Sequence, residues 1–321
     1  MKETPMNYWL IVNKAAGDGR QGESYWRGYL QAAGIEELHV RGLSETEWEQ
    51  EVAPDDRVLV AGGDGSVNRV APVCIERGAT LGVLPSGTAN DFARNLGLPD
   101  DPLELCRLMA SQQCLEVDVA WLNGTAFLNV AHIGLGTLPS RKASQEQKRH
   151  LGRFSYLLTL AQRLGMQRGI HGRIECDDRT VEGPWLTIAI ASGAYFGGGH
   201  EIAEASIDDG MLNVVAVRHH SWLRVLLAFL ATKLLRQTPR SNETVVYFQS
   251  PQCHIQLRHD HTVTADGENL GRMANISAFT RPGVLKVMGN RLVSGRPEAA
   301  PAVHYTPNDA SPMARPSPKS F

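Results

Sequence analysis

The sequence predicts an α/β domain followed by a mostly antiparallel, sandwich-like β domain with inserted helices. Three observations carry this expectation. Short apolar runs alternate with helical stretches up to about residue 115, the pattern of a parallel sheet covered by helices. β-rich runs then follow one another with turn residues between them, as antiparallel sheets do. Two glycine-rich turns in the first part each lie between a buried-strand pattern and a helical one. The expected boundaries are an α/β domain over 1–125, a β-rich domain over 126–290 and a tail over 291–321.

In the first domain, Tyr8–Val12, Leu38–Val40, Arg57–Ala61 and Leu81–Leu84 read as strands. Glu23–Ala33 and Val67–Arg77 read as helices, the second closed by Gly78 as a stop. The second domain opens with β-rich runs at Glu116–Leu122, Ala126–His132, Trp185–Ala191 and Leu212–Arg218. Val245–Gln249, His254–Leu257, Thr262–Ala265, Asn275–Ala278 and Val284–Val287 continue the series. Helical inserts are expected at about Ser144–Leu164 and Trp222–Leu235. From Gly295 on, proline, alanine and serine dominate, too few apolar groups to pack, so this tail is expected to be disordered.

Composition narrows the function classes. With 321 residues, a net charge of -2 and 21% charged residues, the chain lacks the basic excess of a dedicated nucleic-acid binder. Its five scattered cysteines include no C-x-x-C pair, so neither a disulfide framework nor a zinc site is indicated, and a cytoplasmic setting is expected. No segment reaches the roughly 20 apolar residues of a membrane span.

The two turns read Val58-Leu-Val-Ala-Gly-Gly-Asp-Gly-Ser-Val-Asn68 and Leu84-Pro-Ser-Gly-Thr-Ala-Asn-Asp-Phe-Ala93. A strand, a glycine turn and a helix N-terminus together form an anion site, because exposed backbone N–H groups and the helix dipole point at the ligand. Two in tandem suggest a polyphosphate across the carboxyl ends of neighbouring strands. No G-x-x-x-x-G-K-[ST] and no H-R-D…D-F-G set is present, which excludes a P-loop enzyme and a protein kinase fold.

Gly62-Gly63-Asp64-Gly65-Ser66 with Asn68 resembles the GGDGT…N signature of the diacylglycerol kinase catalytic-domain family. Pro85 to Ala93 is similar to that family's second motif, Ile11-Val-Asn-Lys14 to its opening asparagine loop, and Asp266-Gly267-Glu268 to a late motif. In length and layout the chain is most similar to the small bacterial YegS-like lipid kinases. The resemblance implies a three-layer α/β nucleotide-binding domain of the NAD kinase and diacylglycerol kinase kind. It implies ATP held by Asn13, Gly62, Gly63, Asp64, Gly65, Ser66, Asn68, Ser86, Gly87, Thr88 and Glu268. Asn68 and Asn90-Asp91 also read as helix caps and loop braces.

Phosphoryl transfer needs a metal to neutralise the phosphate oxygens, and Asp64 is the carboxylate best placed to hold Mg²⁺. Asp266 maps onto the family's proton acceptor. The loop Ser206-Ile-Asp-Asp209-Gly-Met211 maps onto a family Mg²⁺ loop, with ligands from Ser206, Asp209 and Met211; an ordinary Asp-Gly turn before a strand fits the same residues. The implied reaction is transfer of the ATP γ-phosphate to a lipid alcohol such as diacylglycerol, phosphatidylglycerol or a sphingoid base. The implied partner is the inner membrane surface; the basic, apolar Trp222–Arg236 segment reads first as a helix packed on the β domain, and lying in the membrane interface is its other reading. The alternatives are an NAD kinase-like soluble kinase and a non-catalytic lipid- or nucleotide-binding protein.

Overall fold

The computed structural model describes residues 6–17, 20–134, 169–177, 179–196, 200–201, 205–219 and 244–289. The helices expected at Ser144–Leu164 and Trp222–Leu235, and the tail, lie outside these residues.

The first part runs β1 (Tyr8–Val12), α1 (Glu23–Ala32), β2 (His39–Gly42), α2 (Trp48–Glu51), β3 (Arg57–Gly62), α3 (Asp64–Arg77), β4 (Thr80–Pro85), α4 (Asp91–Asn95) and α5 (Pro102–Ala110). Strands β2, β1, β3 and β4 pair in parallel in that order. Their side chains alternate between two cores, as the period of two along a strand requires. Ile11, Val58, Val60, Leu81 and Val83 meet Val67, Val70, Ala71 and Cys74 of α3 and Phe92 of α4. Leu10, Val12, Leu59, Ala61 and Leu84 meet Trp26 and Leu30 of α1 and Leu105, Cys106 and Met109 of α5. This is the three-layer α/β arrangement.

Helix α3 starts directly after the first glycine turn. Gly63 caps it in an extended conformation, Asp64 lies in its first turn, and Gly78 ends it in the left-handed region at φ 70°. Pro72 lies inside it and removes the ladder bond to the Asn68 carbonyl.

The second part contains β5 (Cys114–Leu122), β6 (Thr125–Phe127), β7 (Val130–Gly134), β8 (Ile170–Cys176), β9 (Arg179–Ala191), β10 (Tyr195–Phe196), β11 (His200–Glu201), β12 (Leu212–Arg218), β13 (Val245–Ser250), β14 (Gln252–Ala265) and β15 (Glu268–Met288). These strands are antiparallel to one another wherever they pair. They enclose a separate core that includes Ile133, Ile174, Trp185, Ile190, Val214, Ile255 and Val263.

One sheet runs through both parts in the order β13-β12-β9-β7-β14-β15-β4-β3-β1-β2. The join is β15: Ala278 to Met288 pair with β5, and Val287 lies opposite Leu81 of β4. Two strands that read as four in the sequence are long and irregular. β14 spans both His254–Leu257 and Thr262–Ala265, with a register shift between Gln256 and His261. β15 spans both Asn275–Ala278 and Val284–Val287, with a shift between Arg281 and Leu285, where Pro282-Gly283 falls. Proline and glycine mark a bulge here, not a strand end. The run read as Ala126–His132 is split: it breaks at Leu128-Asn129 between β6 and β7.

Candidate functional site

The parallel order of β1, β3 and β4 brings three loops side by side at their carboxyl ends. Asn13 follows β1 and donates its backbone N–H to Ala61 O at 3.0 Å. Gly62 ends β3 opposite Pro85 of β4, and Ser86 N–H bonds Gly62 O at 2.9 Å. The expected binding residues Asn13, Gly62–Ser66 and Ser86–Thr88 therefore form one continuous rim.

Their roles differ. A Cβ on Gly87 would lie 2.5 Å from Gly63 Cα, and one on Gly62 would lie 2.4 Å from Ser66 Oγ. These glycines let the two turns and α3 pack against each other. A Cβ on Gly65 would meet nothing within 4 Å, so the space beside Gly65 is open. The hydroxyls face inward: Ser66 Oγ accepts from Asn13 Nδ2 at 2.8 Å, and Ser86 Oγ accepts from Trp26 Nε1 at 2.9 Å. Thr88 is exposed on the rim. Asn90, at φ 51°, braces the second turn by bonding both Gly87 N–H and Gly87 O at 3.0 Å.

Asp64 points across the rim. Its Oδ1 accepts from Phe92 N–H at 2.9 Å and from Asn129 Nδ2 at 3.4 Å; no described residue donates to Oδ2. An anionic oxygen left unpaired beside an open glycine rim fits a carboxylate that holds a divalent cation.

Asp266 sits in the β14–β15 turn at φ 47°, with Gly267 at φ 86°, the conformation an Asp-Gly hairpin turn requires. The residue is half-buried, and its carboxylate is held by three backbone N–H groups. Oδ2 accepts from Leu128 N–H at 2.6 Å; Oδ1 accepts from Asn129 N–H at 3.0 Å and Val130 N–H at 2.8 Å. All three N–H groups come from the break between β6 and β7. Burial pushes the Asp266 carboxyl up to about 6, against the opposing pull of the three N–H bonds and the Asn68 amide. No charged side chain contributes to that shift. The Asn68 amide is enclosed beside Asp266 without a well-formed hydrogen bond on either Nδ2 or Oδ1. Asn68 lies inside α3, whose cap is Gly63, and is not the helix cap its sequence position suggests. Glu268 is exposed at the start of β15, opposite Ala265.

The Ser206–Met211 loop lies apart from this rim. Asp209 Oδ1 accepts from Met211 N–H at 3.0 Å, its Oδ2 accepts from Gln249 Nε2 at 3.3 Å, and Ser206 Oγ bonds Asp208. Among the described residues no group of three or more His, Cys, Asp or Glu side chains is arranged to hold a metal. The loop's self-bonded carboxylate is thus also a sufficient turn. Two pockets, of about 290 Å³ beside Arg173, Glu175 and His254 and about 400 Å³ beside Cys176, Arg179 and Tyr247, contain none of these site residues.

Residues 7–122 match the diacylglycerol kinase catalytic domain, and residues 130–289 match the YegS C-terminal NAD kinase beta sandwich-like domain. A protein of Chromohalobacter salexigens named "Probable lipid kinase YegS-like" is 33% identical over 234 residues, covering 71% of this chain and 74% of that protein. One of the same name from Pseudomonas aeruginosa is 34% identical over 245 residues, covering 74% and 78%. The chain belongs to the diacylglycerol kinase catalytic-domain family. It is a kinase. The crystal structure of a Bacillus anthracis protein named "putative diacylglycerol kinase" superposes with a TM-score of 0.71 at 26% identity, covering 89% of this chain and 97% of that one.

Four residues outside the diacylglycerol kinase family motifs quoted above complete the site. Trp26 supports Ser86, as described. Asn129 and Asn95 join the two halves: Asn95 Nδ2 donates to Asn129 Oδ1 at 3.2 Å, and Asn95 Oδ1 accepts from Tyr195 N–H at 2.7 Å. Asp118 anchors the Ser206–Met211 loop, accepting from Gly210 N–H at 2.5 Å and Gly283 N–H at 2.9 Å. Burial foremost, then Asp209 and Asp208 nearby, raise the Asp118 carboxyl to about 6. Asn129 and Asp118 each carried a sequence signal, as lone polar residues within apolar runs (Phe127-Leu-Asn-Val130, Val117-Asp-Val119); Trp26 carried none. Asp118→Ala leaves two backbone N–H groups unpaired and is expected to destabilise the fold by about 2 kcal/mol, read as a fall of several degrees in thermal denaturation.

Proposed function

We propose that this kinase transfers the γ-phosphoryl group of ATP to the hydroxyl of a membrane lipid, with Mg²⁺. The observation that carries the reading is the Asp266 carboxylate, enclosed, raised to about 6, and linked through Asn129 to Asp64. A base with a pKa near the working pH is matched to take a proton from an alcohol as that alcohol attacks phosphorus. When bound, Mg²⁺ neutralises charge on the phosphate oxygens; Asp64 is the residue to hold it at the rim, and Ser206, Asp209 and Met211 at the distal loop. The N-terminal turn of α3 at Asp64-Gly65 meets the phosphates, Thr88 adds a hydroxyl, and the enclosed amide of Asn68 lies beside Asp266. Glu268 lies two residues beyond Asp266, at the mouth of the same turn.

The open space at Gly65 supports a ligand there and gives a separating prediction. Gly65→Ala adds a methyl to the first turn of α3 without touching protein. Alanine is favoured over glycine in a helix by about 1 kcal/mol, so the melting temperature should hold or rise. The KM for ATP should rise by about tenfold, since the methyl occupies the space assigned to phosphate. A variant that loses stability while keeping its ATP KM contradicts the assignment.

A lipid acceptor is supported by the names of the relatives. No helix among the described residues is long and apolar enough to cross a membrane; in this reading the acceptor is met at the bilayer surface, on its cytoplasmic face. The test is incubation with γ-labelled ATP, Mg²⁺ and mixed micelles of diacylglycerol, phosphatidylglycerol or a sphingoid base. Labelled lipid extracted into organic solvent is the expected result and names the acceptor. Labelled NADP from added NAD, or no transfer, overturns it.

A further inference from the structure

We infer that Asn129 is the positioning residue that fixes the Asp64 carboxylate relative to the Asp266 carboxylate. The inference rests on the roles proposed above for those two aspartates. Asn129 donates to both carboxylates. Its backbone N–H donates to Asp266 Oδ1 at 3.0 Å, and its side-chain Nδ2 donates to Asp64 Oδ1 at 3.4 Å. Its remaining polar atoms are also committed: Oδ1 accepts from Asn95 Nδ2 at 3.2 Å, and its carbonyl accepts from Ser192 N–H at 2.9 Å. The residue is only 4% exposed.

The chemistry of these neighbours selects an amide. A carboxylate offers acceptors only, so the group facing Asp64 must donate; Asn95 presents an N–H, so the group facing it must accept. Asparagine meets both demands with its two ends, and the partners fix which end is which. Aspartate at this position would set a second carboxylate against Asp64, and alanine would offer neither bond.

The position also suits the task. Asn129 occupies the break between β6 and β7, flanked by Leu128 and Val130, which supply the other two N–H groups on Asp266. Asn95 ties it to α4 and, through Tyr195, to β10. The donor and acceptor sides of the cleft are therefore referenced to a single residue. Displacing a reacting group by about 1 Å can lower a rate by about 100-fold, so a residue that spans both sides controls kcat without touching substrate.

The test compares wild type, Asn129→Ala and Asn129→Asp by two readouts: the pH profile of kcat, and a carboxyl ¹³C titration of Asp266, assigned by its loss in Asp266→Asn. Asn129→Ala is expected to lower kcat at least about tenfold with the acid limb unmoved, because the backbone N–H on Asp266 remains. Asn129→Asp is expected to raise the Asp266 titration by about one pH unit, because a negative charge is placed beside it, and to move the acid limb with it. Burial alone otherwise raises that group, and only neutral donors oppose it. A merely structural role would lower activity only in proportion to folded protein; that result overturns the inference, as does a kcat within twofold of wild type in Asn129→Ala. If wild type transfers phosphate to no acceptor, the proposed function fails on its own, and a crystal structure of Asn129→Ala still decides the inference: Asp64 is expected to leave its place at Phe92 N–H, and an unmoved Asp64 overturns it.

Discussion

Asp266→Asn is expected to lower kcat by about 10²–10⁴-fold, the usual contribution of a positioned general base, with the KM for ATP little changed. The substitution is nearly isosteric, so folding should survive, and the electrostatics support this. The Asp266 carboxyl is raised from 3.8 to about 6 by burial. A group raised in this way contributes its full stability below about pH 4, where it is neutral in both folded and unfolded chains. That contribution is lost as pH rises through about 6, and the ionised form then costs about 3 kcal/mol at pH 7. Asparagine removes that cost. Against it, the Asn Nδ2 must face one of the three N–H groups that the carboxylate satisfied, a loss of about 1–3 kcal/mol. The two effects nearly cancel, so the variant should melt within a few degrees of wild type at pH 7 and lose part of the wild-type pH dependence of stability between pH 4 and 7. An inactive, folded variant with that flattened profile is the expected result.

Asp64→Asn is expected to lower kcat by about 10²–10³-fold, the scale of removing one preorganised electrostatic contact to the transferring group. The structural duties of Asp64 belong to Oδ1, which accepts from Phe92 and Asn129. An asparagine oxygen in the same place keeps both bonds. What it loses is the charge, which the proposed Mg²⁺ requires. The loss should therefore appear as a raised requirement for Mg²⁺ with unchanged thermal stability; a drop in melting temperature that accounts for the lost activity would instead assign Asp64 to the fold.

Much of the glycine rim was legible in the sequence, because a parallel α/β layer reads locally. Each strand, turn and helix start announces itself within a few residues, and Gly62–Ser66 and Ser86–Thr88 lie where that reading puts them. Their division of labour was not legible. Only the packing distinguishes Gly87, pressed against Gly63, from Gly65, which faces open space. The β part was harder to read because its strands bend through their own turn signals: Pro282-Gly283 lies inside β15, and His259-Asp260 lies at the irregular stretch of β14. The Ile170–Cys176 strand escaped because two glycines and charged residues (Gly169, Gly172, Arg173, Glu175) dilute its apolar signal. Asn129 stands 137 residues from Asp266 and 65 from Asp64, and no local pattern can convey contacts of that span.

The most direct test of the central claim is the pH dependence of kcat for the wild-type protein, with γ-labelled ATP and a lipid alcohol, from about pH 4.5 to 8. If Asp266 is the base, kcat is flat above about pH 7 and falls tenfold per pH unit below about 6. A profile that stays flat through pH 6 and down to the acid unfolding limit would contradict it.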